Sequence, residues 1–182
     1  MFKNILQFLQ NSLKLGQAQT QSCGHTMTGE SVVLNHAEPT DTGISYSAQL
    51  IATLTHDHSH LLELYATIDG FIQQQHYAAI TTALEELKSK FNLHIMQENL
   101  HFYCYLEQYF QDQHAQLDRI KSYRKEMNAI AAAVVRFIKK WQDRSIDLAN
   151  VAEFSQEYQA VGKMLAQRID QEENHLYMLY QP

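Results

Sequence analysis

No proline interrupts the chain between Thr40 and Gln181; the two it has are Pro39 and Pro182. Proline removes a backbone donor and clashes with the preceding helical turn, so a long stretch without it suits long helices. The two cysteines, Cys23 and Cys104, form neither a disulfide framework nor a CxxC motif, which points to a reducing, cytoplasmic compartment. No apolar run approaches the length of a membrane span, and the start MFKNILQFLQNSLKLG lacks the apolar core and cleavage site of a secretory signal. A basic face is missing as well: with a net charge of -6 and a pI near 5.9, nucleic acid is not expected as a partner. Nor is there a phosphate loop, a Gly-rich cofactor fingerprint or a Ser-His-Asp order, so any catalysis would have to come from a metal.

What the chain does have is an internal repeat. Residues 92–106, NLHIMQENLHFYCYL, align with residues 166–180, AQRIDQEENHLYMLY, and the identical positions include the pairs Glu98/Glu172 and His101/His175. Both pairs fall on helical positions that would ordinarily be apolar. Around them the periodicity predicts four long helices from residue 46 to 182. The first carries Ile51, Leu54, His58, Leu61, Tyr65 and Ile68 at steps of three and four; the second carries Ile80, Leu84, Leu87, Phe91, His94, Glu98, His101 and Tyr105. The third carries Ile120, Tyr123, Met127, Ile130, Val134 and Phe137, with Glu126 beside the stripe. Phe154, Tyr158, Val161, Leu165, Arg168, Glu172, His175 and Leu179 mark the fourth. Short polar breaks force neighbours to run antiparallel, giving an all-α, up-down-up-down four-helix bundle. Ahead of it, residues 1–16 read as a short amphipathic helix, for docking or a surface role, and residues 17–45 as a polar linker or arm.

Antiparallel neighbours allow depth to be counted back from each turn, since every helix rises about 1.5 Å per residue. By that count His58 faces His94, Glu98 lies level with Glu126, and the repeat sets Arg168 level with His94 and Glu172 level with Glu98. His101 lies level with Ile51, where no carboxylate answers it, so His101 and His175 are expected at the edge of the core. His56 and His60 sit about 200° around the first helix from His58 and point elsewhere. Carboxylates in a dry seam cost several kcal/mol each unless cations or protons compensate them. A metal is one solution: the spacing of His94 and Glu98 puts both on one helix face, and the donor types suit iron, manganese or zinc better than calcium or magnesium. The other solution is metal-free, with Arg168 holding Glu98, Glu126 and Glu172 in a buried ionic network.

Over about residues 47–181 the sequence resembles the hemerythrin-like, HHE cation-binding domains. The residues that carry the resemblance are Asp57-His58 followed by Leu61-Leu62, then His94 with Glu98, then Arg168-Ile-Asp-Gln-Glu172-Glu173 followed by Leu176-Tyr177. It implies a metal site, iron first and possibly di-iron, made from His58, His94, Glu98, Glu126, Glu172 and Glu173. The departures fall at the same place: Arg168 stands where the family has a histidine, and Glu126 and Met127 stand where its third helix offers histidines. Reversible dioxygen carriage is therefore not expected. The implied role, as in bacterial relatives, is non-catalytic sensing or handling of iron, dioxygen or nitric oxide. The alternative is a metal-free interaction module with a protein partner, a weaker likeness to bacterial sigma-factor-binding regulators.

Overall fold

The structure, a computed structural model, describes residues 43–182; the expected N-terminal helix and most of the polar arm lie outside them. Helix α1 spans Leu50–Gln73 and α2 spans Tyr77–Gln97. The second helix then passes through a π-helical turn, Glu98–Tyr103, into α3, Cys104–Tyr109. Helix α4 covers His114–Gln142. The last helix, α5, covers Val151–Gln171 and runs into a second π turn, Glu172–Leu176, and a final 3-10 turn, Tyr177–Leu179. No strand occurs among the described residues.

Helix α1 packs on α2 and α5, and α4 packs on the same two, which closes a four-membered antiparallel ring. The connections are short. Between α1 and α2 the chain reverses through Gln75, whose φ of 60° lies in the left-handed region. Before α5, Asp147 Oδ1 accepts from the amides of Ala149 and Asn150, and Asn150 Oδ1 accepts in return from Asp147 N–H. These side chains satisfy backbone donors at the helix entry that the helix itself cannot.

The core has two apolar clusters. One, toward the α1–α2 turn, contains Tyr65, Ile68, Ile80, Leu84, Val134, Trp141, Phe154 and Tyr158. The other gathers Leu50, Leu54, Phe102, Tyr103, Leu106, Ile120, Met127, Leu176 and Tyr177. Leu54 and Leu61 belong to different clusters, and His58 lies between them on α1. A polar layer of His58, His94, Glu98, Arg168 and Glu172, all buried, thus divides the bundle.

Both π turns begin at the repeated glutamates. A wider turn takes in more residues than an α turn, so the face that follows it is rotated. His101 and His175, expected at the core edge, are consequently exposed, while Phe102, Tyr103, Leu176 and Tyr177 are buried. Aromatic and aliphatic burial, worth roughly 2 kcal/mol or more per side chain, favours that choice over burying an imidazole. The widened backbone at Asn99 finds other partners: its carbonyl accepts from the Cys104 thiol at 3.1 Å and from Arg124 at 3.2 Å.

Candidate metal centre

Helices α1 and α2 bring His58 and His94 face to face, with their Nε2 atoms 3.2 Å apart. Two nitrogens bound to one tetrahedral cation at about 2.0–2.1 Å would stand roughly 3.3 Å apart. From the last helix Glu172 Oε2 lies 3.2 Å from His58 Nε2, and from the second helix Glu98 Oε2 lies 3.8 Å from His94 Nε2. Ligand atoms of His58, His94, Glu98 and Glu172 all fall within 4.8 Å of one another.

The outward nitrogens of the two rings meet carboxylates. His58 Nδ1 is 2.8 Å from Glu173 Oε1, and His94 Nδ1 is 3.8 Å from Asp57 Oδ2. The first is a hydrogen bond; the second is too long to be one, and His94 Nδ1 is buried without a partner. Glu173 therefore does not enter the cluster as the sequence reading expected. It orients the imidazole that does, in the way outer carboxylates fix metal-binding histidines.

Glu126 also departs from expectation. Its side chain is 56% exposed and 4.0 Å from the Arg168 guanidinium, on the rim. The neighbouring Met127 takes the inward direction on α4 and is buried. Helix α4 supplies no buried donor to the cluster.

Arg168 donates to Glu172 Oε1 from Nε and to the Tyr103 hydroxyl from Nη2. Tyr177 donates to Glu98 Oε1 at 3.0 Å and lies 3.4 Å from His58 Nε2. Neither hydroxyl is among the site groups expected from the sequence. Their signal was present: Tyr103 and Tyr177 occupy the same position in the two copies of the repeat.

Electrostatics splits the two buried carboxylates. Glu98 is pushed up to about 8, by burial first and then by the charge of Glu172. Glu172 moves the other way: burial opposes its charge, but the His58 hydrogen bond and Arg168 hold it below the usual carboxylate range. Burial likewise opposes a charged His58, yet hydrogen bonds to Glu172 and Glu173 outweigh it and raise that imidazole to about 9. His94 is lowered, chiefly by burial. A buried cluster with its Glu98 Oε2 unpartnered has capacity for one more positive charge.

Beside the layer lies a cavity of about 30 Å³, walled by Leu61, Leu87, Phe91, Ile95, Met127 and Val134 and reaching the two histidines and Glu172. That is room for a small molecule such as a water or a diatomic ligand beside the two histidines.

Two imidazole nitrogens and two carboxylate oxygens suit one transition-metal cation, while Arg168 supplies a fixed positive charge on the far side of Glu172. No curated protein and no solved structure gives a significant match to the chain. One family does match, and over most of its length: the model of the hemerythrin HHE cation binding domain aligns with residues 49–180. With the bundle, the order of the site residues and this match in agreement, the chain belongs to the hemerythrin HHE cation-binding domain family.

Proposed function

We propose that the protein holds a single transition-metal cation, iron first and manganese or zinc next, through His58, His94, Glu98 and Glu172, and that it serves in handling or sensing iron or a diatomic ligand. The observation that supports this most is the pairing of the rings. Their Nε2 atoms converge at 3.2 Å while the Nδ1 atoms face Glu173 and Asp57. Such a cation would supply Lewis acidity and, if iron, a redox couple next to a small apolar cavity. The chain's own residues orient the ligands and keep bulk water away: Glu173 fixes His58, Tyr177 fixes Glu98, and Arg168 neutralises Glu172. The mainly apolar walls of the neighbouring cavity suit a small uncharged ligand such as a diatomic.

The number of cations follows from the donors. A second ion would compete with the Arg168 guanidinium for Glu172 and would find no donor from α4. One ion per chain is accordingly the expected content of protein purified from iron-supplemented cells, measured by elemental mass spectrometry. Metal-free protein that also fails to load under anaerobic conditions would overturn the reading.

A second reading draws on Arg168 itself. Its contacts with Glu172 and Tyr103 form a buried network that compensates part of the charge without any metal. In that case the bundle is an interaction module, and His58 carries a proton where the cation would sit. Recovery of a stoichiometric protein partner by a metal-free bundle would favour it.

A further inference from the structure

The sequence THDHSH carries three histidines, of which the buried layer uses only His58. The other two, His56 and His60, are four residues apart on the opposite side of α1, and both are exposed. Their ring centroids approach to 4.2 Å, with the planes inclined at 58°. Neither imidazole has a hydrogen-bond or ion-pair partner among the described residues, so all of their nitrogens are available to a ligand. Glu63, one turn beyond His60 on the same stripe, is exposed too. Together with Glu86 of α2 it lines an open groove of about 320 Å³ that reaches His60 and also includes Lys90.

We infer that His56 and His60 form a second, outward-facing metal site, a two-imidazole chelate for a borderline divalent cation such as zinc, with water completing the shell. Two histidines at this helical spacing present nitrogens to one ion from adjacent turns of a rigid scaffold. Imidazole donors favour zinc, copper and nickel over ferrous iron, and an exposed pair has no buried shell to reverse that order. The outer chelate and the buried cluster therefore differ in preference as well as in place. Between them on the chain is Asp57, 29% exposed and 3.8 Å from His94 Nδ1. The two sites are neighbours across the thickness of a single helix.

The test is a zinc titration of the full chain by isothermal calorimetry, comparing the wild type with H56A, H60A and the H56A/H60A double variant. The substituted side chains are exposed, so the fold and its melting temperature are expected to hold. Losing either histidine removes the chelate advantage and weakens one class of zinc binding by about a hundredfold, and the double variant should lose that class altogether. The tighter or slower uptake into the buried cluster should remain, which keeps this result separate from the fate of the buried-site reading. Identical isotherms for wild type and double variant would overturn the inference, and so would single variants that bind zinc as tightly as the wild type.

Discussion

His58 and His94, from adjacent antiparallel helices, present Nε2 to Nε2 at 3.2 Å, and the only charges able to separate two such nitrogens profitably are a proton or a metal cation. His58 is held at about 9 and Glu98 at about 8, so near neutral pH both carry a proton in the metal-free cluster. Cation binding must displace these protons. Calorimetry at pH 7 in buffers of different ionisation enthalpy should register net proton release, with affinity rising as pH increases toward 9. Binding without proton release would contradict the assignment of these ligands.

The same values set the pH dependence of the metal-free fold. Both groups are raised above their unfolded values, so their contribution is complete below those values and disappears as pH rises through about 8 and 9. For His58 the loss between about pH 6 and pH 10 is on the order of 3 kcal/mol. Thermal melts of metal-free protein should show a falling midpoint over that range, and metal-loaded protein should show a flatter one. A metal-free midpoint that rises with pH would refute the electrostatic account.

Glu173 orients His58 through a 2.8 Å hydrogen bond, while Asp57 faces His94 Nδ1 across 3.8 Å. Glu173→Gln and Asp57→Asn should each reduce metal affinity by about 10–100-fold with little change in melting temperature. Glu173→Gln should have the larger effect, since its contact is 2.8 Å against 3.8 Å for Asp57. Full affinity in both variants would mean that the outer carboxylates are incidental.

Arg168 stands where the resemblance to the family implies a histidine. Removing its charge with Arg168→Gln leaves Glu172 dependent on His58 alone and should cost about 3 kcal/mol in the metal-free protein. Arg168→His should raise metal occupancy, because it replaces a competing cation with a donor. Unchanged melting in the first variant and unchanged occupancy in the second would show that Arg168 has neither role.

Gly162 allows α5 to approach α1. A Cβ built there would lie 2.6 Å from the Tyr65 ring, and Tyr65 stacks on Tyr158 at 4.0 Å while each hydroxyl donates to the other residue's carbonyl. Gly162→Ala should destabilise the fold by about 1–3 kcal/mol in chemical denaturation, by overpacking. A neutral result would show that the tyrosine pair yields easily.

The bundle and the level of its polar layer were legible in the sequence because α-helical steps of three and four carry the buried stripes, and short turns fix which residues stand opposite. His58, His94, Glu98, Arg168 and Glu172 follow from that counting. Two things escaped it. The π turns at Glu98 and Glu172 break the assumed period, so His101 and His175 turn outward and Tyr103 and Tyr177 turn in. The direction of Glu126 escaped as well, because a count of depth does not decide which of two adjacent residues, Glu126 or Met127, points inward.

The central claim is that one cation sits among His58, His94, Glu98 and Glu172. Anaerobic equilibrium dialysis against ferrous iron, run on the wild type and on Glu98→Gln, tests it most directly, since ferrous iron is a poor ligand for the exposed histidine pair and Glu98 Oε2 is the unpartnered buried oxygen. The account predicts a single bound iron per wild-type chain and a loss of at least about tenfold in affinity for Glu98→Gln. The variant's metal-free fold should be as stable as the wild type or more so, because the amide needs no proton. Equal iron binding by the two proteins, or none by the wild type, would contradict it.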